Sequence, residues 1–457
     1  MAGSAIGPVQ GVGLGHRPEL AGDLLRDPSC VSFVEVVAEA CMANRLARRE
    51  AAANRALWPV VPHGVKLSLG SADGIREDHA RRLGTLAREL GAPLVSEHVA
   101  FTRGGPREIG HLTRLPYTKA AVRVLARNVA LARRHLPDVP LLLENAAATL
   151  TWPDDELDEP DFYAQVVRAT GCSLLLDVGN LYANAVNAGH DPVQTLLRFP
   201  LSSVAMLHVA GGTWEDGFYF DTHADPIAPP VFALVERTLA EVGAVPILLE
   251  RDGGFHGFAP LRDELERLRA LQGSSPRART PHLDAPGIAI ADEPALLADQ
   301  QLLARALTDL APPGPALVQR FGADALARTR TILARKRIDD ALPHLPRLAA
   351  HGERVRVHAE HALAGRVRTD RSASVTDAWH ILAHVRTIAA LHDDAELDAL
   401  VLRARFRAPI ADHPVRPRRL PFLGRARGGG RTVWALKGPG DDATVHVLTP
   451  AAPRSRP

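Results

Sequence analysis

Six apolar runs in this sequence stop at a side chain that can bind a metal or carry a proton. VVPH closes at His63, LVSEH at His98, LLLEN at Glu144 and Asn145, LLLDVGN at Asp177 with Asn180 following, AMLH at His208 and ILLE at Glu250. Between the last two runs lies Asp221-Thr222-His223. A single strand-end carboxylate has a plain structural role, capping a helix or holding a loop amide, and a single histidine has one too. A series of six is different. Carboxylates brought together raise one another's pKa values and require a positive partner, for which bound metal is the simplest choice. One catalytic ion takes about three to five protein groups and keeps a position open. Nine candidates, His63, His98, Glu144, Asp177, Asn180, His208, Asp221, His223 and Glu250, therefore suit two or three ions bridged by carboxylates. Mixed imidazole and carboxylate donors favour iron, manganese or zinc over magnesium or calcium. Such a site could activate water for hydrolysis or oxygen for oxidation.

The elements that must position these residues repeat one phrase. Eight apolar runs, Gly11–Leu14, Phe33–Val37, Val60–His63, Leu94–Val99, Leu141–Glu144, Leu174–Val178, Val204–Val209 and Ile247–Glu250, read as strands. Between them Met42–Leu57, Arg76–Leu90, Tyr117–Leu136, Pro160–Thr170, Pro192–Phe199, Pro230–Val242 and Pro260–Leu271 read as helices. Apolar strands alternating with helices indicate a parallel sheet, and eight units in about 260 residues are the size of a TIM (β/α)8 barrel. In that fold the strand ends converge on one mouth. The expected organisation is an α/β barrel over 1–271, a Gly, Ser and Pro-rich linker over 272–290 and a mainly helical α+β extension over 291–457. In the extension, Glu293–Leu310, Ala323–Leu342 and Ser374–Leu402 read as helices, and Thr432–Leu436 with Ala443–Leu448 read as a terminal hairpin.

Composition removes several alternatives. The 457 residues are 46% hydrophobic and 23% charged, with a formal charge of +2, so neither a disordered chain nor a nucleic-acid-gripping surface is expected. Three cysteines without a CxxC pair argue against a disulfide scaffold or a thiolate zinc site, whereas 20 His favour nitrogen and oxygen ligation. Cys30, Cys41 and Cys172 are expected to be structural. No membrane span or signal peptide is read, and the cytosol is the expected compartment.

The ordered motifs resemble a known family. HGVKLSLGS from His63, SEHVAF from Ser96, LPYT from Leu115, LLLEN from Leu141, LLLDVGNLYANAVNAG from Leu174, LHVAGG from Leu207, DTHADP from Asp221 and LLERD from Leu248 occur in sequence. Over about residues 11–255 the series resembles the multinuclear non-heme iron-dependent oxidases, the family of the methanobactin-biosynthesis oxidase. The resemblance implies two or three iron ions of mixed valence, molecular oxygen as co-substrate, and a precursor peptide modified most often at cysteine. It also implies a small partner protein for peptide recognition. Carried over by motif, the family's metal positions fall on the same nine residues, and Glu35 in FVEVVAEACM matches a second-strand carboxylate. Asn187-Ala188-Gly189 followed by His190 departs from the family's usual Asn-His-Gly, and Glu35, Asn145 and His190 are assigned to the substrate rim.

Two rival readings remain at this level: a metal-dependent isomerase or phosphodiesterase on the same barrel, and a non-catalytic peptide-binding scaffold with a relic site. The extension is read as a fused version of the family's partner, with the basic stretch Arg403–Arg431 either contacting acidic peptides or forming a solvated connection.

Overall fold

The structure is a computed structural model that describes residues 9–276, 293–309, 311–364, 366, 373–408, 415–428, 430–440 and 443–448. Most of the expected linker lies outside the described residues. In chain order the first strands are β1 (Val12–Gly15), β2 (Val34–Val37), β3 (Val60–Gly64), β4 (Val95–His98), β5 (Ala100–Gly104) and β6 (Arg107–Arg114). Next come β7 (Leu141–Glu144), β8 (Ser173–Asp177), β9 (Val204–Val209), β10 (Thr213–Glu215), β11 (Phe218–Phe220) and β12 (Ile247–Leu249). Eight of these close into a barrel in the order β1-β12-β9-β8-β7-β4-β3-β2, as the apolar runs predict. The pairs β5-β6 and β10-β11 form separate two-stranded sheets.

The period of two along each strand stacks an apolar floor beneath the chemistry. Phe33, Val61, Leu94, Leu142, Leu175, Met206 and Leu248 form one buried cluster. Two residues further along, the same inner face presents Glu35, His63, Ser96, Glu144, Asp177, His208 and Glu250. Register then sets the neighbours: His98 pairs with Glu144, Asp177 with His208, and His208 with Leu248.

The helices between strands follow local signals. Thr118 caps Lys119–Arg133 by accepting from Ala121 N, Asp158 caps Glu159–Thr170, and Gly171 ends it at φ +61. The expected Met42–Leu57 helix is instead Ala38–Ala43 and Arg45–Asn54, because Asn44 turns extended and caps the second piece through Leu46 N. Helix Val178–Asn187 has no counterpart in the expected elements. Its sequence, VGNLYANAVN, is rich in poor helix formers, so burial of Leu181, Tyr182 and Ala185 and the Asp177 cap carry it.

Contacts divide the chain into one compact unit of residues 1–105 and 112–302 and another of 106–111 and 303–457. Besides the end of helix Pro294–Thr308, the second contains helices Pro315–Phe321, Ala323–Ala341, Glu353–Leu363, Ala373–Val385 and His392–Arg405. The expected single helix Ser374–Leu402 is therefore two, the second restarting with Asp393 and Asp394 in its first turn, where a helix favours acids. The strands β13 (Phe422–Gly428), β14 (Arg431–Lys437) and β15 (Val445–Leu448) form an antiparallel sheet. The hairpin is present, but β13 occupies part of the stretch read as a solvated connection. Its period-two pattern is hidden in sequence because the outward positions are Leu423, Arg425 and Arg427. Among the described residues no helix is long and apolar enough to cross a membrane.

Leu142 is 1% exposed in the barrel floor. Leu142→Ala should destabilise the chain by about 2–5 kcal/mol through the cavity left behind, read as a lowered urea midpoint by circular dichroism. A midpoint equal to wild type would remove the floor from the account of barrel stability.

Candidate metal centre

Register and period bring the strand-end residues into three overlapping groups whose ligand atoms lie within 4.8 Å of one another. The first is His63, His98 and Glu144; the second is Glu144, Asp177, His208 and Glu250; the third is His223, Glu250 and Asp252. Glu144 belongs to the first two groups and Glu250 to the last two. Glu144 Oε2 is 3.4 Å from His63 Nε2 and 3.5 Å from His98 Nε2, while Oε1 is 3.3 Å from His208 Nδ1. Glu250 Oε2 lies 3.5 Å from His208 Nδ1 and 3.4 Å from His223 Nδ1.

Outer contacts decide which ring atoms face inward. His98 Nδ1 is 3.2 Å from the Gly64 carbonyl, so it must donate, leaving the Nε2 lone pair toward Glu144. His63 Nδ1 is 2.9 Å from Ser96 Oγ. His208 Nε2 is 3.2 Å from Glu35 Oε2, an arrangement that orients the ring and raises the basicity of the other nitrogen. His223 adopts φ +54, a strained conformation for a non-glycine residue, and its backbone bonds Gly211 O and Asp252 N hold it there.

Asp177 has two roles. Its Oδ1 accepts from Asn180 N at 2.6 Å and caps helix Val178–Asn187. Asn145 clamps the Asp177 backbone in both directions, accepting from its N at 2.8 Å and donating to its O at 2.9 Å. Asn180 Nδ2 donates to Asn145 O. After these bonds, Glu144 Oε2, Asp177 Oδ2, Asn180 Oδ1, His208 Nδ1 and Asp221 Oδ1 are buried without hydrogen-bond partners. Each carboxylate or amide oxygen is an acceptor, and an imidazole nitrogen is one when neutral. This collection fits a cation.

The electrostatics fit as well. Burial pushes the Asp177 carboxyl up to about 8, helped by the nearby Asp221 and Glu144 carboxylates. Burial also opposes ionisation of Glu144, but the His98, His208 and His63 rings outweigh it and hold the carboxyl at about 2. Burial disfavours charge on His208 and His223, yet the surrounding carboxylates raise both rings above their ordinary value.

Glu35, Asn145 and His190, assigned to the rim from sequence, fall in three different places. Glu35 is buried against His208, and Asn145 is a buried backbone clamp. His190 is exposed just beyond helix Val178–Asn187, roughly 20 Å along the chain from Asp177 at 1.5 Å per helical residue. Sequence reasoning missed Arg17 and Asp252. Arg17 donates from Nε to Asp252 Oδ1 at 2.9 Å and approaches Glu250 Oε1 at 3.5 Å, placing one guanidinium at the carboxylate-rich mouth. The sequence signal was the need for positive charge, which the reading assigned wholly to metal. The three thiols are buried, and burial raises the Cys41 pKa to about 11.

These features define a (β/α)8 barrel with a buried, carboxylate-bridged histidine centre. The chain belongs to the family described as "RiPP precursor modification enzyme MbnB/TglH/ChrH", which matches residues 11–273. A UPF0276 protein of Streptomyces avermitilis is 40% identical over 276 residues, 59% of this chain and 56% of that protein. Thus the chain spans little more than half of that relative's length. A UPF0276 protein of Caulobacter vibrioides is 37% identical over 265 residues, 58% of this chain and 94% of that protein. Among solved structures, a xylose isomerase domain protein from Planctomyces limnophilus aligns with TM-score 0.40 and 17% identity, covering 59% of this chain and 98% of that one.

In the metal-free chain at pH 7, Asp177, with a pKa of about 8, is mostly protonated. Divalent metal binding should therefore release about one proton from it, and apparent affinity should rise as pH increases toward 8. Calorimetry in buffers of different ionisation enthalpy will read the release, which should fall by about one proton in Asp177→Asn. Identical proton release in the two proteins would separate Asp177 from the metal.

Proposed function

We propose that the chain is an iron-dependent oxidase that uses molecular oxygen to modify a peptide side chain, cysteine in the first place, during maturation of a ribosomally made precursor. The observation that carries this reading is the overlap of three donor groups through Glu144 and Glu250, which suits two or three adjacent ions. Family membership supports a peptide as substrate. Nine residues at and beyond the strand ends, His63, His98, Glu144, Asp177, Asn180, His208, Asp221, His223 and Glu250, would hold the ions, and Glu144 and Glu250 each belong to two of the donor groups. Bound iron would supply the reduction of oxygen and a position at which a substrate thiol binds as thiolate.

The chain's own residues prepare that site. Gly64 O and Ser96 hold His98 and His63 with Nε2 directed at Glu144. Glu35 holds a proton on His208 Nε2 so that Nδ1 faces the centre. Arg17 balances part of the charge on Glu250 and Asp252 without entering the donor set. The apolar floor closes the barrel beneath and excludes water from that side.

Peptide recognition is assigned to the second unit, in the role of the family's separate partner. One face of its sheet packs Ala426, Val433 and Ala435 on Leu400 and Ala404. The opposite face leaves Leu423, Leu436 and Leu448 exposed, with Leu423 opposite Leu436 and Leu448 opposite Trp434. Exposed Arg425 and Arg427 lie on the same face. An apolar face flanked by guanidinium groups suits an acidic, amphipathic peptide.

Iron-loaded protein should consume oxygen when supplied with a cysteine-bearing precursor peptide. Glu144→Gln should lower turnover more than about 100-fold, because removing even an outer-shell partner commonly costs 10–100-fold. Turnover with zinc or manganese and no oxygen would overturn the oxidase reading, and isolation without bound metal under anaerobic conditions would favour a non-catalytic scaffold. Separately, Leu436→Asp should weaken binding of the precursor peptide about tenfold while leaving iron content unchanged, measured by fluorescence anisotropy and metal analysis. Unchanged affinity would move recognition away from this sheet.

A further inference from the structure

Helix Pro294–Thr308 begins beyond the residues matched to the family, yet its Gln300 is fully buried within the barrel-bearing unit. Both ends of the Gln300 carboxamide bind the loop that follows β3. Nε2 donates to Gly70 O at 2.7 Å, and Oε1 accepts from Ala72 N at 2.9 Å. The ion pair of Glu293 with Arg123, at 2.5 Å, anchors the residue just before this helix in the same unit.

The loop is irregular, so side chains from elsewhere satisfy its backbone. Asn128 Nδ2 donates to Leu69 O and Ser71 O, each at 2.8 Å, and Arg127 donates to Ala72 O at 2.7 Å. Ser68 is held at φ +61, where its hydroxyl accepts from Thr102 N at 2.8 Å. A Cβ at Gly70 would come within 2.7 Å of the Leu115 side chain and 2.9 Å of Ala100 O. The loop therefore has one tightly specified path, and Gln300 closes its outer side.

The start of that path lies beside Glu97 and Gly64, the chain neighbours of two candidate metal residues. Leu67 N donates to Glu97 Oε1 at 2.9 Å, beside His98 on β4. Gly64, next to His63, supplies the carbonyl that sets the His98 tautomer. Among the described residues no comparable link joins the loop to Asp177 or His208, whose supports are Asn145 and Glu35.

We propose that Gln300 is a positioning residue of the metal centre: by fixing the 67–72 loop it sets the His63–His98 end, while the barrel alone sets the Asp177–His208 end. The proposal rests on the metal reading above and adds to it a dependence on chain outside the family-matched barrel. Gln300→Leu removes both hydrogen bonds at similar bulk, and Gln300→Glu keeps the acceptor for Ala72 N.

The test uses the full chain and two readouts: amide hydrogen exchange of the metal-free protein, and anaerobic titration with ferrous iron followed by Mössbauer spectroscopy. In Gln300→Leu, exchange around Ala72 should accelerate about tenfold while the barrel strands stay protected. Iron affinity at one position should fall about tenfold, the lower end for outer-shell partners, with the remaining iron unchanged. Gln300→Glu should recover part of both effects. Unchanged loop exchange, or equal weakening of every iron position together with faster exchange across all strands, would overturn the proposal. A wild-type chain that takes up no iron would overturn the metal reading itself. Iron uptake insensitive to Gln300 would overturn this proposal alone.

Discussion

Buried like charges must be neutralised, and that requirement organises the mouth of this barrel. Glu35, Glu144, Asp177, Glu250 and the more accessible Asp221 and Asp252 converge on four histidines, with Arg17 as the guanidinium among them. An uncompensated buried carboxylate costs several kcal/mol, so such a set persists only where cations or protons share it. The protein meets this need unevenly. Glu144 faces three imidazoles and stays ionised, whereas Asp177 faces other carboxylates and retains a proton in the metal-free chain.

The fold was legible because apolar strands buried on both faces leave continuous runs, and because six of the eight runs ended in a donor. The period-two relation between Val61 and His63, or Leu142 and Glu144, can be read directly from sequence once the strand is assigned. What could not be read were functions that depend on pairing across the barrel. Arg17 meets Asp252 across the closure of β1 on β12, and Asn145 clamps Asp177 across two adjacent strands. Neither has a local pattern. Helix Val178–Asn187 escaped for a related reason, since its stability comes from packing and a cap rather than from residue propensity.

The extension was less legible because its signals are mixed. Outward Leu and Arg on β13 obscure the strand period, and a short turn divides what looks like one long helix. Gln300 shows the same limit from the other side. A glutamine on a helix carries no sequence mark of importance, but its two hydrogen bonds join residues 230 and 228 positions apart.

All three cysteines of the chain are buried, and burial drives their thiols toward the neutral form. The folded protein therefore displays no ready thiolate of its own. In a mixture with a cysteine-bearing peptide, an alkylating reagent or a thiol-sensitive dye reports on the peptide with little background from the protein. The same burial keeps reagents in solution away from the protein's own three thiols.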